Sequence, residues 1–91
     1  MKGEIKMEEK RIGGVTHYFG HIGVAIIKID KEGLKAGETI HVKGHTSDFT
    51  QKIDSMEIEH KVVAEAKPKD VVGLKVKDHA REKDDVFKVI E

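Results

Sequence analysis

The sequence predicts an all-β fold, a small and mostly antiparallel Greek-key barrel of six or seven short strands. Three observations predict it. Apolar and polar residues alternate in brief runs, as in Thr39-Ile40-His41-Val42-Lys43 and Val72-Gly73-Leu74-Lys75-Val76, the pattern of half-buried strands. Turn-forming residues interrupt these runs roughly every 8–12 residues, the spacing of sandwiches and barrels. One stretch, 57–66, offers helical spacing through Ile58, Val62 and Ala66, but its Val62-Val63 pair and its neighbours favour strand.

The elements follow in order. Residues 1–10 read as a leader that becomes an edge strand, and 11–91 as a single barrel domain. Val15, Thr16, Tyr18 and Phe19 form a strand that turns at Gly20 into a second strand over 22–29. In that second strand Val24 and Ile26 share one parity, while Ile27 and Ile29 share the other. A bulge or burial on both faces would produce this. Residues 30–33 form a turn, with Gly33 suited to a left-handed conformation. A strand over 39–43 and a polar loop over 44–48 follow. The 49–59 stretch is a longer strand with a bulge near Asp54-Ser55, and 61–66 is another. Pro68-Lys69-Asp70 turns the chain into the Val72–Leu74–Val76 strand. A charged loop over 78–85 leads to a last strand marked by Phe87 and Val89. The expected core is Val15, Phe19, Val24, Ile26, Ile29, Leu34, Ile40, Val42, Ile53, Met56, Ile58, Val62, Val72, Leu74, Val76, Phe87 and Val89.

Composition narrows the function. The 91 residues allow one domain. Seventeen basic residues balance seventeen acidic ones, which disfavours bulk electrostatic binding to nucleic acid or acidic lipid. The longest apolar stretch, Val24-Ala25-Ile26-Ile27, is too short to span a bilayer, and residues 1–6 lack the apolar core of a secretion signal. Without cysteine there are no disulfides, thiolate nucleophiles or zinc ribbons. The expected setting is cytoplasmic, and the Lys/Glu-rich composition is that of thermophile proteins.

Candidate site residues come from the few unusual side chains. His17 and His21 are four apart, as are His41 and His45. On one strand that spacing separates them by about 13 Å, too far to share an ion, so no metal site is expected unless a turn folds a pair together. His17-Tyr18-Phe19 is the one aromatic cluster. Adjacent strand residues face opposite ways, so one of Tyr18 and Phe19 packs inward and the other could stack on a base. Lys28, Lys43, Lys52, Lys61 and Lys75 fall on strands, where lysines solvate the exterior and blunt edges. Lys43 shares a face with His41, and a local basic patch there would attract phosphate. Tyr18, Lys28, His41, Lys43 and His45 are therefore the candidate binding residues. Neither the adjacent acidic pairs Glu8-Glu9 and Asp84-Asp85 nor Ser47 and Ser55 form a recognisable catalytic arrangement. No catalytic residue and no cofactor are expected.

The order of motifs resembles a known family. Leu34-Lys35-Ala36-Gly37-Glu38, Lys52-Ile53-Asp54-Ser55-Met56, the stretch from Val63 through Lys69-Asp70 to Leu74, and Arg81 to Val86 resemble, in sequence order, the second-domain β-barrel of translational GTPases such as elongation factor Tu and initiation factor two. The whole closely resembles the small, stand-alone elongation-factor-like proteins. Similar barrels are appended to other proteins, including collagenase-like peptidases. Where the family has Gly-Asp, this chain has Lys69-Asp70 and Lys83-Asp84, which points to type I turns there. No phosphate-cradling G-x-x-x-x-G-K-[ST] loop is present, so GTP binding is not implied. The resemblance implies a translation-factor-like module without enzymatic activity, binding tRNA, ribosomal RNA or a ribosome-associated protein. The alternative is a protein-interaction adaptor with no nucleic-acid role.

Overall fold

The computed structural model describes residues 8–90. The ten strands are β1 (Glu8–Phe19), β2 (Val24–Ile29), β3 (Leu34–Lys35), β4 (Thr39–Lys43), β5 (Asp48–Lys52), β6 (Met56–Ile58), β7 (Lys61–Val63), β8 (Glu65–Ala66), β9 (Val71–Lys75) and β10 (Asp85–Ile90). Eight of them form one sheet in the order β5-β4-β10-β1-β2-β9-β6-β7, and β3 pairs with β8 as a separate ribbon. Every pairing is antiparallel. The all-β, antiparallel expectation holds, with more and shorter strands than anticipated. No described helix is long and apolar enough to cross a membrane. Residues 1–7 of the expected leader lie outside the described residues; Glu8 to Lys10 belong to β1, where they pair with β10.

The sheet is not closed into a barrel. Its outermost strands, β5 and β7, do not pair with each other among the described residues. Yet the sheet curls strongly. The Gln51 side chain of β5 donates from Nε2 to the Lys75 carbonyl at 2.9 Å and accepts from the Lys77 N–H at 2.8 Å. β5 and β9 are five strand spacings apart in the ladder, about 24 Å if the sheet were flat. One amide side chain thus bridges a gap that a continuous ladder would fill in a barrel.

A single turn design recurs three times. In 67–70, the Lys67 N–H donates to the Asp70 carboxylate at 2.8 Å and the Asp70 N–H to the Lys67 carbonyl at 3.0 Å. In 81–84, Arg81 and Asp84 repeat this at 2.8 and 3.1 Å. In 35–38, Lys35 and Glu38 do so at 2.6 and 3.1 Å. Each turn then docks through two reciprocal backbone bonds, with Ile29 of β2, Val15 of β1 and Ile53, just past the end of β5, respectively as partners. The third residue of each turn has positive φ: Lys69 at 77°, Lys83 at 76° and Gly37 at 93°. That is the mark of a type II turn, so the type I expectation for the two Lys-Asp turns is corrected. The docking bonds and the carboxylate cap hold lysine in a conformation that glycine adopts freely. Gly33, by contrast, is not in the left-handed region. It is needed because a Cβ there would sit 2.6 Å from the Ala66 carbonyl oxygen, where β8 approaches.

The core lies on the concave face. Ile12, Ile27, Ile29, Leu34, Ile40, Ile53 and Met56 are fully buried, with Val42, Val72 and Val86. Two parities differ from expectation. In β2 the inward residues are Ala25, Ile27 and Ile29, while Val24 and Ile26 face outward and are half-buried. β2 is regular; the bulge lies on β1, between Val15 and His17. In β10 Val86 turns into the core, while Phe87, half-buried, and Val89, buried, share the other face. Phe19 and Val62, expected inside, are exposed at 48% and 72%. Ala66, Ala80 and Phe49 complete the core in their place.

Candidate apolar trough on the outer face

Antiparallel partners directly opposite one another project from the same face of a sheet. The pairings Tyr18–Ala25–Leu74–Met56–Val63 therefore define an inward row, and all five pack in or against the core. The next row, His17–Ile26–Gly73–Glu57–Val62, faces outward. Beside it runs Phe19–Val24–Lys75. Gly73 leaves a gap at the centre of these rows, and the outer face sinks there into a trough of about 580 Å³. Phe19 and Ile22 of the β1–β2 turn flank it on one side, and Glu57, Glu59 and His60 of the β6–β7 hairpin on the other. Ile22 and Val71 are 61% and 48% exposed. This is the size of a small-ligand or peptide-side-chain site, on a face where solvated polar residues would otherwise be expected.

The trough was not anticipated as a site. Its one legible signal is the two-sided apolar character of β2: a strand with one solvated face has no need of both Ile27 and Ile26.

The five expected binding residues do not gather in the trough. Tyr18 points inward, half-buried, with its ring 4.6 Å from that of His79. Lys28 is exposed on β2, opposite Val71 and Gly14. Lys43 ends β4, opposite both Asp48 and Asp85, so the register sets carboxylates on either side of Lys43 and places Lys28 on a different strand. His45 is exposed in the loop after β4. His41 is held between two carboxylates, Nδ1 against Glu9 at 2.7 Å and Nε2 against Asp48 at 2.5 Å. These bonds hold its imidazolium above the ordinary range, the Asp48 bond most of all, and hold the Asp48 carboxyl below its own. Both ring nitrogens are thereby committed within the chain. Arg11 is likewise engaged by Asp85 at 2.8 Å and Asp30 at 2.5 Å. Among the described residues no three His, Asp or Glu side chains are grouped to hold a metal ion.

Comparison with known proteins bears on what this fold serves. No family model matches the chain. It is 35% identical over 83 residues to an uncharacterized protease of Methanocaldococcus jannaschii, covering 90% of this chain and 20% of that protein. The chain thus spans about one fifth of the length of that relative. Among solved structures it is similar to the C-terminal domain of a Geobacillus thermoleovorans protein described as a candidate U32 peptidase. One structure of that domain superposes with a TM-score of 0.80 at 23% identity, covering 86% of this chain and 90% of the other. Its selenomethionine variant gives 0.79 at 22%, covering 85% and 96%.

The relatives are named as peptidases, not translation factors. This overturns the resemblance to the second domain of translational GTPases, and with it the expectation of a translation-factor-like, RNA-binding module. The expectation of a chain with no enzymatic connection falls to the same finding, since the sequence relative is named a protease. The physical reason is visible in the fold. The motifs that carried the resemblance include Gly37-Glu38, Lys69-Asp70 and Lys83-Asp84, which are the three docked turns. They record how strands are connected, and a strand connection serves many functions.

Proposed function

We propose that this chain acts in proteolysis as the β-domain of a U32-type peptidase system, engaging polypeptide in the outer trough while the hydrolytic chemistry resides in a partner portion corresponding to the rest of the longer relative. The observation that carries the reading is an exposed apolar trough, floored by Gly73 and walled by Phe19 and Ile22, on a fold shared with the C-terminal domain of such a peptidase. A peptidase must hold an unfolded stretch of chain against its catalytic groups, and binding energy gathered away from the scissile bond supports that positioning. Large exposed apolar surfaces mark sites of this kind. The cysteine-free composition favours a reducing, cytoplasmic setting.

The test is complementation. The Methanocaldococcus jannaschii protease is prepared without the fifth that matches this chain, and its cleavage of a reduced, carboxymethylated protein is measured with and without the 91-residue chain added in trans. The expected result is a several-fold gain in cleavage rate on addition. An unchanged rate overturns the proposal.

A further inference from the structure

The trough has a chemistry more specific than apolarity, and it rests on the reading that the trough holds polypeptide. Its floor is bare strand. Gly73 lies between Val71 and Lys75 on β9, opposite Ile26 and Glu57. Along a strand, side chains on one face recur about every 7 Å. The Phe19–Val24 row lies one such step from the Ile26–Gly73 row, and Val71, paired with Lys28, lies one step beyond it on the other side. An extended peptide places its own alternate side chains at the same interval, so two of them can seat together beside the glycine. Glycine in a strand interior often marks such close approach of another backbone.

The two walls differ in charge. The β1–β2 wall is apolar, through Phe19 and Ile22. The β6–β7 wall carries Glu57 and Glu59, both exposed. The hairpin that presents this acidic wall is strained: Glu59 and His60 both have positive φ, 52° and 66°. Consecutive residues in this conformation form the turn for which Asn-Gly is preferred. Two bulky side chains kept there at a conformational cost point to a task for those side chains.

We infer that the trough selects extended polypeptide segments with large apolar side chains at alternate positions beside Gly73 and a Lys or Arg side chain turned toward Glu57 and Glu59. The cation meets two carboxylates on one wall while the apolar groups cover the other, so binding discriminates by charge as well as by size.

The experiment uses the whole chain and fluorescein-labelled eight-residue synthetic peptides. One peptide alternates Leu with Lys, a second replaces each Lys by Glu, and a third replaces each Leu by Ser. Anisotropy titrations are run with the parent, with Gly73→Val, and with the double variant Glu57→Lys, Glu59→Lys. A Cβ at Gly73 would meet only the tips of Ile26 and Val24, at 3.4 and 3.6 Å, so Gly73→Val fills the floor with the fold kept, as an unchanged circular dichroism spectrum verifies. The Leu-Lys peptide is expected to bind the parent, to weaken by about tenfold or more in Gly73→Val, and to yield its preference to the Leu-Glu peptide in the charge-reversed double variant. Equal binding of Leu-Lys and Leu-Glu peptides by the parent, or binding indifferent to Gly73→Val, overturns the inference. The complementation test reads separately: restored cleavage without peptide charge selection leaves the peptidase reading standing and removes this one. Charge-selective binding without restored cleavage does the reverse.

Discussion

Lys69 and Lys83 hold the same place in two copies of one docked turn, at φ 77° and 76°, where the third copy has Gly37 at 93°. Lysine carries a steric cost in the left-handed region that glycine does not, partly offset because glycine loses more freedom on folding. Lys69→Gly and Lys83→Gly are therefore each expected to be neutral or to stabilise by up to about 1 kcal/mol, and Gly37→Lys to destabilise by about 1 kcal/mol. Urea unfolding of the three variants checks this. A loss of stability in both Lys→Gly variants would show that the lysine side chains themselves hold the turns.

Gln51 spans the unclosed side of the sheet with two bonds from one amide. Gln51→Leu keeps most of the volume and removes both, leaving the Lys75 carbonyl and the Lys77 N–H without this partner. A loss of about 1–2 kcal/mol is expected, read as a lower urea midpoint. Faster hydrogen exchange at the Lys77 amide should accompany it.

The Glu9–His41–Asp48 clamp ties β1, β4 and β5 together on the outer face, with Lys43 also near Asp48. The folded His41 value lies above its ordinary 6.5. Its stabilising contribution is therefore complete below about pH 6.5 and is lost as pH rises through the raised value. Asp48, depressed from its ordinary 3.8, contributes above that value and loses its contribution as pH falls through the lowered one. Thermal melts of the parent and His41→Asn across pH 5–9 check the histidine window. The difference between them should be largest near pH 5–6 and should shrink toward pH 9; a difference independent of pH would show that the imidazole contributes only by packing.

Ile26 and Ile27 are neighbours with opposite fates. Ile27 is fully buried among the core side chains, while Ile26 faces the trough. Ile27→Ala is expected to cost about 2–5 kcal/mol, and Ile26→Ala about 1 kcal/mol or less, in urea unfolding. Equal costs would place the two faces of β2 in equivalent surroundings.

What could be read from the sequence divides along local and non-local lines. The β1–β2 hairpin at Gly20, the β4 alternation through Ile40 and Val42, and β9 through Val72 and Leu74 were legible because period and turn chemistry are local. The facing of β2 was not, because Val24 and Ile26 are as apolar as Ile27 and Ile29, and only pairing to β9 decides which set turns inward. The open ladder was not legible either, since it depends on Gln51 reaching residues 24 and more positions away. The expectation about function failed because its motifs were turns. The trough went unseen because its central residue, Gly73, has no side chain to notice.

The account turns on where polypeptide touches this chain. Two-dimensional amide NMR of the ¹⁵N-labelled protein, titrated with a reduced, carboxymethylated polypeptide, tests that most directly. Shifts concentrated at Val24, Ile26, Val71, Gly73 and Lys75 are the predicted result. Shifts confined to the surroundings of His41, Lys43 and His45, or none at all at saturating polypeptide, would contradict it.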